Sequence, residues 1–295
     1  MKHFVGISWF ILGLFISSVN DTIARYLSID ISPLQISFFR FLFGTLSLVP
    51  FICYKGSLSI KTSRPMVHII RGTLLTVSIF LWIKGLGNGQ VVTATIISFT
   101  IPIFLLIMAP IFLKEKLSMK LWFFAIFGLI GIIVTLNPHS VNLNINVLLL
   151  VIAAILFASL DIINKKYIIK ETMLSMLFYS SVTTTLLSLI PVLIHIKSRQ
   201  PLIMIDLLYL IVLGAGNNLV LFCLLNTFYL IKVSKVAPFR YLELLISILL
   251  GYFVFKELPT THTYLGALII INSSLYIVQK SRKSDSTSIK KLVKN

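Results

Sequence analysis

Arg240 and Glu243 stand three residues apart in "VAPFRYLELLIS", 236–247, inside a run of apolar residues long enough to cross a membrane. A charge facing lipid costs several kcal/mol, so ionisable side chains at such depth usually mark function. Three apart on a helix, the two share a face and can either hold a charged solute or form an ion pair that orders the bundle. Glu243 lies about seven residues into its run, about 10 Å along a helix axis, well below the headgroups. Arg40, in "SFFRF" at 37–41, is about a third of the way along another run and too deep to reach the surface. It is open to two roles, a clamp for a carboxylate or a partner for Asp21.

Asp21 and Asp161 occupy matching stretches, "SSVNDTIARY" at 17–26 and "FASLDIINKKY" at 157–167, with Arg25 set against Lys165. Each aspartate can act as a gate, holding a cation in one state and releasing it in another. Each can equally form a static four-apart pair, Asp21 with Arg25 and Asp161 with Lys165. Asn217 and Asn218, in "GAGNNLVLF" at 214–222, offer hydrogen-bond donors and acceptors to a solute or to neighbouring helices. Asn164 carries a lesser signal of the same kind. Tyr179 and Trp82 are candidate stacking platforms, although Trp82 lies near a run's end, where aromatic rings collect at membrane interfaces. Arg71 lies near the end of its run and is expected to snorkel to the surface. Pro102 and Pro110 predict a bend in the fourth run.

The elements that must carry these residues are transmembrane helices. The chain has 295 residues, is 57% hydrophobic and 12% charged, and has a mean hydropathy of +0.99. A bilayer core of about 30 Å needs about 20 apolar residues per helix, and about ten runs meet that length. They lie near 4–26, 33–54, 66–86, 90–112, 120–137, 146–164, 173–195, 206–230, 236–255 and 264–279. The expected fold is thus an all-α membrane protein.

The formal charge of +17 comes from cations lodged between the apolar runs, not from a basic face, which excludes nucleic acid as the partner. Lysine and arginine favour alternate connections, with Lys55, Lys61 and Arg64, then Lys114, Lys116 and Lys120, then Lys165, Lys166 and Lys170, then Lys232 and Lys235 on one side. "GNGQ" at 87–90 and "NPHSVNLNIN" at 137–146, on the other side, carry no charge, and Lys197 with Arg199 is the main exception there. Retention of positive charge inside predicts both termini in the cytoplasm. The two cysteines, Cys53 and Cys223, both fall within apolar runs, so no disulfide framework or metal spacing is on offer.

"PIFLKEKLS" at 110–118 matches "YFVFKELPT" at 252–260, with Lys114-Glu115 against Lys256-Glu257. Together with the aspartate match, this divides the chain into 1–140 and 141–280, five spans each, followed by a polar tail, 281–295, expected to be disordered. An odd number of spans per copy makes the second enter the membrane from the opposite side. That is an inverted repeat, an architecture that sets a central site between two rocking halves.

Five spans plus five with these motifs resemble the EamA-type branch of the drug/metabolite transporter superfamily. "SSVNDTIARYL", "SFFRF", "KTSRPMVHIIRG", "VVTATIISFTIPIF", "LDIINKKYIIKETMLSMLFYS" and "APFRYLELLIS" are similar, within it, to carriers that take up S-adenosylmethionine in obligate intracellular bacteria. The resemblance implies a multi-pass inner-membrane carrier working as a monomer, with a small-molecule substrate, lipid around it and no cofactor. A sulfonium and an ammonium want a carboxylate, which Glu243 supplies. The substrate's carboxylate wants a guanidinium, Arg240 or Arg40, and its adenine wants an aromatic face, Phe239 or Tyr241. Exchange against S-adenosylhomocysteine is one expected mode. A carrier of the same fold that exports amino acids, metabolites or cationic drugs is the alternative. The sequence contains no GxxxxGK[ST] loop, H-E-x-x-H or G-x-S-x-G motif, which disfavours an ATP-driven pump or a membrane enzyme.

Overall fold

The computed structural model describes residues 2–86, 91–136, 145–194, 202–256, 261–262 and 264–272. Among them every regular element is helical. They are α1 (Lys2–Leu27), α2 (Pro33–Lys55), α3 (Pro65–Leu86), α4 (Val91–Ser98), α5 (Ile101–Leu113), α6 (Met119–Leu136), α7 (Ile145–Tyr167), α8 (Met173–Ile194), α9 (Met204–Leu230), α10 (Val233–Val236) and α11 (Leu242–Phe255). Short 3-10 turns follow α2 at Ser57–Ile60 and α10 at Ala237–Tyr241. A last helical stretch covers 264–272. Nine spans long and apolar enough to cross a bilayer lie among the described residues, α4–α5 and α10–α11 each forming one of them. The end of the tenth expected run, the connections at 87–90 and 137–144, and the tail 281–295 lie outside the described residues.

Side-chain chemistry sets the ends of these helices. Ser32 opens α2 with a reciprocal cap, its hydroxyl accepting from the Gln35 amide at 3.3 Å while Gln35 Oε1 accepts from the Ser32 amide at 3.4 Å. The fourth span breaks where the sequence suggested, at Phe99–Thr100, with Pro102 in the first turn of α5. The ninth breaks too, at Ala237–Tyr241, with Pro238 in the first turn of the 3-10 segment. Both fourth helices of the two halves end alike: Lys114 (φ 55°) closes α5 and Lys256 (φ 59°) closes α11, each left-handed and each donating its amide one turn back, to Ala109 and Gly251.

Packing pairs helices from the two halves. α1 lies against α9 and α11, α3 against α7 and α8, α2 against α8 and α9, and α5 against α7. Exchanging α1 with α7, α2 with α8, α3 with α9 and α5 with α11 leaves this set of neighbours unchanged. Where α2 crosses α9 a side chain has no room: a Cβ on Gly214 would lie 2.6 Å from the Gly44 amide nitrogen and 2.8 Å from the Arg40 carbonyl. Glycine at both positions lets the backbones touch and brings Arg40 alongside α9. Phe51, Phe123, Leu186 and Phe253 are exposed on the outside, as suits a lipid-facing surface.

Candidate functional site

A line of charged side chains runs through the middle of the bundle. Arg40 on α2 donates through Nε to Asn217 Oδ1 on α9 at 3.1 Å. Its charge interacts with that of Asp21 on α1, which in turn interacts with Glu243 on α11. The Ser17 hydroxyl, one turn before Asp21, donates to the Glu243 carboxylate, and the charge of Arg240 also reaches that carboxylate. Arg240 Nη2 completes the line 3.2 Å from Asp161 Oδ2 on α7. The order is Arg40, Asp21, Glu243, Arg240, Asp161: two neighbouring carboxylates, Asp21 and Glu243, flanked by an arginine on each side. Such an order lets each ion meet an opposite neighbour in a low dielectric, and a polar solute can enter by exchanging partners with it.

The two ends of the line differ in openness. Asp21 is exposed, and its charge interacts with those of Arg40 and Glu243. Asp161 is 5% exposed and closed under Arg240. Beside this pair is a small cavity walled by Phe10, Leu105, Phe228, Val233 and Ala237. Arg240 is therefore tied across to α7 as well as sensing Glu243 on its own segment. Of the two roles open to Asp161, the four-apart pair with Lys165 does not form: Lys165 donates instead to the carbonyls of Phe228 and Ile231, the latter at 2.8 Å.

Among the other expected site residues, Phe239, Tyr241 and Asn218 are buried, while Trp82 and Tyr179 are half-buried. Phe239 is 1% exposed in a core with Phe10, Leu14 and Val236. Tyr241 is fully buried, its hydroxyl donating to the Ala125 carbonyl at 2.9 Å and its ring beside Phe99. Asn218 is spent on packing: it accepts from Ser181 at 3.2 Å and donates to the Gly44 carbonyl at 2.6 Å and to Ser47 at 3.1 Å. Trp82 meets Phe157 edge-on at 6.3 Å, and Tyr179 lies 5.0 Å from the His68 ring.

Arg71 corrects the sequence reading. It does not snorkel; it is 1% exposed, because partners within reach repay its burial. Its Nε donates to Asn164 Oδ1 at 2.8 Å and its Nη1 to the Met176 carbonyl at 3.1 Å, with His68 Nδ1 at 3.3 Å. His68 Nε2 lies 3.5 Å from Glu171. Asn164 thus serves a tie between α3 and α7. Ser17 was absent from the sequence candidates although its four-residue spacing from Asp21, which sets both on one helix face, signalled it. Among the described residues no group of three or more histidines, cysteines or carboxylates is set to hold a metal.

Comparison with known proteins adds the lineage. The EamA-like transporter family profile matches residues 4–137 and, a second time, residues 144–279. The chain is 44% identical over 285 residues to an S-adenosylmethionine uptake transporter of Rickettsia bellii, covering 97% of each. It is 45% identical over 284 residues to the protein of the same description in Rickettsia conorii, covering 96% of this chain and 95% of that one. A crystal structure 16% identical in sequence superposes with a TM-score of 0.78 over 96% of this chain and 98% of the other, a likeness of fold.

Proposed function

Since the chain belongs to the EamA-like transporter family and is a multi-pass membrane transporter, not an enzyme, we propose that it imports S-adenosylmethionine by alternating access, in exchange for S-adenosylhomocysteine. The line of charged groups from Arg40 to Asp161, with the carboxylates of Asp21 and Glu243 side by side between two arginines, is the observation that carries this reading. In it Glu243 and Asp21 receive the sulfonium and ammonium, and Arg240 or Arg40 receives the substrate carboxylate. Phe239 and Tyr241 reach the adenine only when the 3-10 segment that carries them moves. The naming of the Rickettsia relatives supports the choice of substrate.

The two halves, 1–140 and 141–280, are oppositely inserted five-helix repeats, ten spans in all. Three features support this: the family profile matches twice, helix neighbours survive exchange of the halves, and Lys114 and Lys256 end matching helices in the same left-handed turn. The basic connections argue for cytoplasmic termini in a bacterial inner membrane, with the protein working as a monomer. A membrane potential of 100 mV, negative inside, supplies about 2.3 kcal/mol per monovalent cation moved inward. Exchange for an uncharged product draws on the same field.

Uptake of labelled S-adenosylmethionine into proteoliposomes, with and without S-adenosylhomocysteine preloaded, tests the proposal. Saturable uptake stimulated by preloading is expected. If unlabelled S-adenosylmethionine fails to compete while amino acids or cationic drugs do, the substrate assignment is wrong and an exporter of those solutes takes its place.

A further inference from the structure

The connection between α9 and α10 is held in an unusual way. α9 ends at Leu230 and α10 starts at Val233, so two helix ends meet across Ile231 and Lys232. Such ends leave carbonyls on one side and amides on the other without helical partners. Lys232, the residue before α10, offers no side-chain cap. Instead, Glu115 Oε1 accepts from the Val233 amide at 3.1 Å, and Oε2 accepts from the Ser234 amide at 3.1 Å and from the Ser234 hydroxyl. Lys165 Nζ donates to the carbonyls of Phe228, in the last turn of α9, and of Ile231, just beyond it, and its charge also interacts with that of Glu115. Cation meets carbonyl end and anion meets amide end, the favourable sense for both dipoles.

Glu115 is 6% exposed and belongs to the connection after α5, in the first half of the chain, whereas the joint belongs to the second. Its three hydrogen bonds therefore bind one half to the other. Behind the joint, Phe228, Val233, Val236 and Ala237 wall the small cavity against which Arg240 and Asp161 pair. The left-handed turn at Lys114 swings Glu115 off α5 towards that joint.

We propose that Glu115, with Lys165, is a catch: it holds the α9–α10 joint so that the Asp161 end of the central line stays sealed, and substrate leaves by that end only after the catch releases. A substrate carboxylate that draws Arg240 from Asp161 loosens the segment running back through Ala237 to Ser234, which couples occupancy of the site to the catch. The inference rests on the alternating-access reading, and the two can fail separately.

The experiment uses the full-length protein with Cys53 and Cys223 replaced by serine and Val236→Cys introduced in the sealed wall, in detergent, with a hydrophilic maleimide as the probe. Labelling is slow with Glu115 present and rises about tenfold or more with Glu115→Ala, the weight of a charge-assisted hydrogen bond in a two-state equilibrium. Binding of S-adenosylmethionine stays within about threefold while exchange falls, a split that simple loss of structure would not produce. If Glu115→Ala does not yield a monodisperse protein, Ser234→Ala, which removes one of the three bonds, is expected to raise labelling about threefold. Unchanged labelling in the folded variant overturns the catch. Substrate added to the Glu115-intact protein should also speed labelling; if it does not while Glu115→Ala does, the catch stands but its coupling to occupancy is overturned, whereas absence of any saturable uptake by the unaltered protein would sink the alternating-access reading instead.

Discussion

Asp21 and Asp161 hold matching places in the sequence of the two halves of the chain, but the first is exposed and the second is shut beneath Arg240. Their neighbours diverge in the same way. Around Asp21 the tie across the bundle is a guanidinium to an amide, Arg40 to Asn217. At the Asp161 end, ties multiply: Arg240 to Asp161, Arg71 to Asn164, Glu115 to the α10 amides and Lys165 to the carbonyls of Phe228 and Ile231. Two copies of one motif thus take opposite conditions in one conformation. On the alternating-access reading proposed above, the difference is one of state: a carrier that exchanged the two conditions would present its site to each side in turn.

The comparison can be broken most sharply at Arg240. Arg240→Ala strands the buried Asp161 carboxylate and costs about 3–5 kcal/mol, read as a fall in the thermal stability of the purified protein. The double variant Asp161→Leu, Arg240→Met regains stability and transports nothing; restored uptake in it would reduce the pair to a structural tie.

Glu243→Gln tests the middle of the line. Removing a charge that faces both halves lowers uptake about a hundredfold with normal membrane insertion, and wild-type uptake by that variant would refute its role in cation binding. Asp21→Asn sharpens the contrast with Asp161. Because Asp21 is exposed, stability changes by only about 0.5 kcal/mol. Uptake nevertheless falls about tenfold, the loss of one charge-assisted contact. A stability loss equal to that of Asp161→Asn would erase the asymmetry. The smallest effect is expected at Arg71→Lys, where an ammonium replaces a fork that reaches Asn164 and Met176 together; about 1–2 kcal/mol of stability is lost with uptake changed less than about twofold. A larger loss of uptake than of stability would move Arg71 into the transport pathway.

Much of the architecture was legible because a bilayer imposes a length and an apolarity on each helix, and those leave their mark on composition. The proline-linked break of the fourth span was readable for a similar reason, since proline lacks an amide hydrogen. Depth also identified Arg40, Arg240 and Glu243 as residues that need partners, and the match between the two halves singled out Asp161. Which partner each takes was another matter. Arg240 was expected to bind substrate or Glu243, and its ion pair is with Asp161, nearly eighty positions away in sequence. Arg71 looked free to snorkel, but Asn164 and the Met176 carbonyl hold it in the interior. Glu115 read only as a marker of internal repetition, since the amides it caps lie across the halves, beyond any local spacing rule.

The sequence by itself determined that the chain is helical and membrane-embedded, where its apolar runs begin and end, and which charges lie too deep to be solvated, because hydropathy and spacing are local properties summed along the chain. Only the tertiary structure decided how those charges pair, which aspartate is exposed and which closed, and that Phe239, Tyr241 and Asn218 are packed in this conformation. These depend on helices far apart in sequence meeting at glycine-lined crossings such as Gly44 on Gly214. Electrostatic pairing in a low dielectric acts over a few ångströms of space, and such distances are fixed by packing and not by position in the chain.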